Sequence, residues 1–121
     1  CLRDITRGGL ASMLNELATT AKVGVAVDEA AIPVSEPVRG ACELLGLDPL
    51  YVANEGRFVA MVPASQVEAA LAVMRRHKAA SQAASIGTVM DRSAPPVVLR
   101  TVLGTQRILD LLSGEQLPRI C

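Results

Sequence analysis

A single layered domain, with helices packed on a sheet, is what this chain predicts, and three observations predict it. Apolar residues recur at helical spacing in three separate segments, aliphatic runs of strand length fall between them, and Gly, Pro and Ser mark the joins. The expected class is an α/β (α+β) sandwich, a mixed sheet flanked by helices. At 121 residues the chain is long enough for one hydrophobic core. Half of it is apolar, yet it has no Trp, one Tyr and one Phe, so that core must be built from Ala, Val, Leu and Ile.

The first helix is read from Leu10, Met13, Leu14, Leu17 and Ala18, entered through Gly8-Gly9. Residues 23–27 alternate small and branched side chains as a short buried strand ending at Asp28-Glu29. Ser35 suits the N-cap of a second helix, Pro37 its first turn and Gly46 its end, with Val38, Ala41, Cys42 and Leu45 facing inward. Residues 57–62 read as a strand stopped by Pro63. Ser65 suits the cap of a third helix with Val67, Ala70, Leu71 and Met74 inside. Arg75-Arg76-His77-Lys78 closes that helix, where cations complement the helix dipole. Strands follow at 84–89 and 97–102 around a Pro-rich turn, and an apolar segment at 108–112 precedes the tail. The expected division is a folded domain over 1–112 and a mobile tail over 113–121.

Composition excludes several classes. Twelve basic and twelve acidic residues cancel, so a general affinity for nucleic acid or anionic membrane has no electrostatic basis. No apolar run approaches the roughly 18–20 residues that span a bilayer. Three widely spaced cysteines argue for a reducing, cytoplasmic setting rather than a disulfide framework. They and His77 show no metal-ligand spacing, so no metal site is expected. Opening on Cys1, the chain reads as a piece of a longer protein.

Three segments carry the chemistry. In Arg3-Asp4-Ile5-Thr6-Arg7-Gly8-Gly9-Leu10, a hydroxyl, a guanidinium and two glycines precede a helix. Glycines admit a close ligand, a helix start favours an anion, and Arg7 can grip a phosphate. The competing reading is that Asp4 or Thr6 caps the helix and the glycines serve a turn. In the run from Asp48 to Arg57, an Asn54-Glu55-Gly56 bend holds a carboxylate that can act as a base if apolar walls raise its pKa; a solvated turn is the alternative. The third segment is the ending Pro118-Arg119-Ile120-Cys121, a thiol at the chain's end where Pro118 stops any helix. From Gly114 onward an extended chain reaches roughly 23–25 Å.

In order and over essentially the whole chain, these segments resemble the C-terminal domain of the hydrogenase maturation factors called HypE. The runs at 3–10 and 47–56 are shared more loosely with AIR synthetase and selenophosphate synthetase, and in the ending Leu117-Pro118-Arg119-Ile120-Cys121 the run Pro118-Arg119-Ile120-Cys121 is specific to HypE. Ile5 stands where that family often has Pro. The resemblance implies a carbamoyl dehydratase. A carbamoyltransferase, HypF, loads the terminal thiol, ATP and Mg²⁺ drive dehydration to a thiocyanate, and a HypC–HypD complex receives it. It assigns Cys121 as acceptor, Glu55 as base, and Thr6, Arg7, Gly8, Gly9 and Asn54 to the nucleotide. Most ATP and Mg²⁺ contacts and a homodimer interface are expected from a preceding N-terminal domain, leaving this chain alone inactive. Alternatives are another ATP-dependent enzyme of the same superfamily, or a docking module whose cysteine is incidental.

Overall fold

The two chemical motifs near the start and middle of the chain belong to one antiparallel ribbon. In this computed structural model, which describes residues 1–92 and 94–111, β1 (Leu2–Ile5) pairs with β3 (Asn54–Ala60). Between them in sequence come α1 (Gly9–Ala21), β2 (Gly24–Asp28) and α2 (Glu36–Leu45). After β3 come α3 (Val67–Arg75), β4 (Gly87–Met90), β5 (Val97–Arg100) and β6 (Gln106–Ile108), with single 3₁₀ turns at Glu29–Ala31, Ala64–Gln66 and Lys78–Ala80.

The second sheet has the order β4-β2-β5-β6. Its central pair, β2 and β5, is parallel, while β4 and β6 are antiparallel to their neighbours, so the sheet is mixed as expected. A parallel pair needs a long crossover, and here α2, β3, α3 and β4 all lie between its two strands. β2 is buried from Gly24 to Val27, and Val97 and Leu99 of β5 are fully buried.

The core sits where α1 covers β2, β5 and β1. Leu10, Ala11, Met13, Leu14 and Ala18 of α1 meet Val25, Val27, Val97, Leu99, Ile5, Leu50 and Leu109 in one cluster. The aliphatic core is therefore as composition demands. Each fully buried Leu or Val contributes roughly 1.5–3 kcal/mol relative to exposure.

The other helices differ from expectation. The caps of α2 are where the sequence places them, Ser35 before and Gly46 after, but its inner face is largely bare. Only Cys42 is buried, while Val38 and Leu45 are 45% and 70% exposed. Leu71 is likewise the one buried residue of α3, which is capped at Gln66 rather than Ser65. An open apolar cleft of about 740 Å³, lined by Val27, Val38, Val59, Leu71 and Met74 among others, separates these helices from the sheets. Periodicity identifies an apolar face; whether another element reaches that face is a tertiary matter. β1 was not legible because Arg3 and Asp4 interrupt any apolar run, and β6 overlaps the apolar segment read at 108–112 only at Ile108.

Candidate functional site

Strand register brings the first two motifs side by side. Asp4 pairs with Phe58, but the next residue, Ile5, pairs with Asn54, so residues 55–57 bulge out of the ribbon. Such bulges re-aim side chains next to functional sites. Asn54 thereby stands beside Ile5 and one residue from Thr6, while Glu55 and Arg57 project into solvent. Arg57 donates back to the Pro33 carbonyl at 3.4 Å.

Gly8 and Gly9 make the turn from β1 into α1, with φ of 63° and 65°. That left-handed region strains any other L-residue. A side chain at Gly9 would also meet the Leu50 carbonyl oxygen at 2.5 Å and that of Val52 at 2.8 Å. The helix start is thus pressed against the 50–52 backbone, and Ala11 N–H donates to the Leu50 carbonyl at 2.9 Å. Neither Asp4 nor Thr6 caps α1. Gly8 occupies the N-cap without a side-chain bond, and Thr6 donates its hydroxyl to the Asp4 carboxylate at 2.7 Å. Both glycines have a structural reason that a phosphate is not needed to explain.

Arg7 is exposed and makes no ion pair among the described residues, unlike Arg3, which reaches Glu16 at 3.3 Å. The uncommitted Arg7 guanidinium is the group on this edge that favours an anion. Among the described residues no group of three or more His, Cys, Asp or Glu is placed to hold a metal ion.

Three residues to which sequence reasoning gave no individual role organise the neighbourhood. Asp48 accepts from Leu50 N–H at 2.9 Å and pairs with Arg107 at 2.8 Å, fixing the turn ahead of Asn54. Tyr51 donates its hydroxyl to the Asp110 carbonyl at 2.9 Å. Burial pushes this phenol above its ordinary pKa; Arg107 opposes that, while Asp48 and Asp110 reinforce it. It is therefore a proton donor at neutral pH. Asn15, only 4% exposed, donates to the carbonyls of Ala11 and Leu109. A polar residue on the apolar stripe Ala11, Leu14, Ala18 was the available signal, as was the chain's one tyrosine.

The structure therefore joins Thr6, Arg7, Gly8, Gly9, Asn54 and Glu55 at one edge of the fold. Cys42 is buried in α2 and Cys1 is exposed, while Cys121 and the rest of 112–121 lie outside the described residues. No helix among the described residues is long and apolar enough to cross a membrane.

This layered α/β domain, with a glycine-entered helix beside a bulged ribbon, matches the family described as AIR synthase related protein, C-terminal domain, over residues 1–99, and the chain belongs to that family. Within it the similarity is to HypE, as the three motifs indicate. The chain is 57% identical over 121 residues to the carbamoyl dehydratase HypE of Azotobacter vinelandii, covering 100% of this chain and 36% of that protein. Crystal structures agree. One of hydrogenase maturation protein HypE in complex with ATP superposes at TM-score 0.90 with 48% identity, covering 99% of this chain and 37% of that one. One of a HypE–HypF complex gives 0.86 and 41%, covering 92% and 36%. The chain thus spans about a third of the length of the curated relatives it matches.

Proposed function

We propose that this domain forms part of an ATP-dependent carbamoyl dehydratase that makes the cyanide precursor for nickel–iron hydrogenase. The observation that carries the reading is the Ile5–Asn54 pairing, which sets an anion-binding edge beside a carboxylate in a chain 57% identical to a carbamoyl dehydratase. HypF, which one relative meets in a crystal, would load a carbamoyl group on the Cys121 sulfur. A cytoplasmic, reducing setting belongs to this reading, because the accepting thiol must stay free.

The chemistry asks for three things. The thiocarbamate must lose its oxygen and both nitrogen protons to become a thiocyanate, and amide oxygen is a poor leaving group. ATP supplies the phosphoryl group that lets this oxygen leave as phosphate. Arg7, with Thr6, Asn54 and the Gly8-Gly9 turn, lines the phosphate end of the nucleotide and neutralises its charge. Glu55, on the adjoining bulge, takes one nitrogen proton, and the other leaves with the departing phosphate. The tail brings the reacting group to both, turning an encounter into an intramolecular step. Glu55 is exposed here, so the walls that exclude water around it come from the N-terminal domain, as do the Mg²⁺ ligands and the homodimer interface. Transfer of the product to HypC–HypD completes the scheme.

The test uses the full-length protein. With HypF and carbamoyl phosphate, mass spectrometry should find Cys121 carbamoylated, and ATP should then remove one water from that adduct. Arg7→Ala should leave the tail's carbamoylation intact and slow ATP turnover. Unchanged ATP turnover would return residues 6–9 to a purely structural turn, and a Cys121 that binds HypF without modification would make the domain a docking module.

A further inference from the structure

The turn ahead of Asn54 is tied to two parts of the fold through one carboxylate. Asp48 uses both of its oxygens: one accepts from Leu50 N–H at 2.9 Å, and the other meets Arg107 at 2.8 Å. Its carbonyl accepts from Tyr51 N–H at 3.0 Å and closes the turn. Arg107 lies on β6 opposite Leu99, a fully buried residue of β5. On the other side, the Leu50 carbonyl accepts from Ala11 N–H at 2.9 Å. The carbonyls of Leu50 and Val52 also leave no room for a side chain at Gly9. A continuous path therefore runs from the core strand β5, through Arg107 and Asp48, to the start of α1 and on to Asn54.

Resting on the dehydration reading above, we propose that Asp48 and Arg107 are positioning residues. Their ion pair holds the 48–52 turn against the start of α1. It thereby fixes the entry to the bulge that carries Glu55, relative to Arg7.

The two sides of the site depend on this pair unequally. Arg7 is placed by α1, which buries seven residues of its own. Glu55 stands in the segment 55–57, outside the β1 register. That segment is held at its ends, and its leading end continues the 48–52 turn. The Asp48 side chain is 25% exposed and that of Arg107 47%, so solvent partly screens the pair. An ion pair of this exposure shifts an equilibrium about two- to fivefold, and a rate that needs the held arrangement falls with its population. The expected loss lies in the dehydration step, with nucleotide affinity unaltered.

The experiment uses full-length protein carbamoylated beforehand, followed by single-turnover mass spectrometry over a range of ATP concentrations. Asp48→Asn keeps the acceptor oxygen for Leu50 and removes the charge; Arg107→Gln removes the other partner. Each should slow thiocyanate formation at saturating ATP about two- to fivefold. The ATP concentration giving half the maximal rate should stay unchanged. The double variant should lose no more than either single one, since the two act as a unit. Arg107→Lys should restore most of the rate, because the contact is made through one nitrogen. Hydrogen exchange separates positioning from general support. In Arg107→Gln the Leu50 and Ala11 amides should exchange faster by the same factor. The Val25 amide, bonded to the Pro96 carbonyl at 2.8 Å, should not change. An unchanged rate, a raised ATP requirement in its place, additive losses, or an equal gain in exchange at Val25 each overturns the proposal. A wild-type tail that carries the carbamoyl group yet never loses water would instead overturn the dehydration reading beneath it.

Discussion

The α1 half and the α2–α3 half of this molecule are written in the same amphipathic code but packed differently. α1 buries seven residues against β1, β2 and β5, among them Leu10, Met13 and Leu14. α2 and α3 bury one apiece, Cys42 and Leu71, over an open apolar cleft. The candidate site is rooted in the packed half at Arg7, while its Asn54 and Glu55 also line the cleft. Arg7 precedes α1, and Asn54 and Glu55 lie across β1. A constellation that must hold its geometry is better placed on a rigid, fully packed support. The contrast makes a testable division: substitutions on the α1 side should change chemistry or fold, and matched ones on α2 and α3 should change little.

The sharpest version compares two cysteines. In full-length protein, Cys121→Ala should abolish carbamoyl acceptance altogether. Cys42→Ala should retain it, with a stability loss in the ordinary range for a buried substitution, about 0.5–3 kcal/mol. Intact-mass spectrometry after incubation with HypF and carbamoyl phosphate decides. Acceptance by the Cys121→Ala protein would break the assignment.

Next comes Glu55. A general base typically contributes about 10²–10⁴-fold, so Glu55→Gln should slow thiocyanate formation by that order while the tail is still carbamoylated and ATP still binds. The matched control is Glu43 on α2, equally exposed, where Gln should leave the rate unchanged. A weakened association of tail and enzyme in place of a slower chemical step would recast Glu55 as a docking group.

Packing itself is compared by truncating one leucine on each side. Leu14 is 1% exposed and Leu45 is 70% exposed. Leu14→Ala should cost about 2–5 kcal/mol, and Leu45→Ala less than about 0.5 kcal/mol. Denaturant unfolding of full-length protein measures both. A large cost at Leu45 would mean that the preceding domain or a partner covers α2 in the whole protein.

How much of this was legible in the sequence follows the same division. The class of fold, the three helices and the aliphatic core were readable because local periodicity and caps such as Ser35 and Gly46 are encoded within a few residues. The coverage of α2 and α3 was not, since Val38 and Leu45 look like core in any local window. Within the site, the motifs at 3–10 and 48–57 were visible, but their adjacency arises from the register slip between Asp4 and Ile5, a property of the paired strands. The glycines were read for a ligand, whereas Gly9 is required first by the Leu50 and Val52 carbonyls. Asn15 and Tyr51 were overlooked because their partners, Leu109 and Asp110, lie 94 and 59 residues away.

The smallest expected effect concerns Tyr51 and alkaline pH. Burial, chiefly, raises its folded pKa above the unfolded value of 10.0. Below that value the phenol is protonated in both states, and the hydrogen bond to Asp110 is fully present, contributing about 0.5–1.5 kcal/mol. As pH climbs past about 10, the unfolded chain ionises first and the equilibrium shifts toward it. The stabilising contribution of Tyr51 is therefore lost as pH rises through the folded pKa. Tyr51→Phe should be slightly less stable than wild type at neutral pH, and that gap should shrink as pH rises above about 10. Val73→Ala on the half-exposed outer side of α3 carries no titrating group, so its gap should stay constant over the same range. Urea midpoints at stepped pH measure all three proteins. A Tyr51→Phe gap that stays constant like that of Val73→Ala would show that the phenol neither donates to Asp110 nor senses its burial.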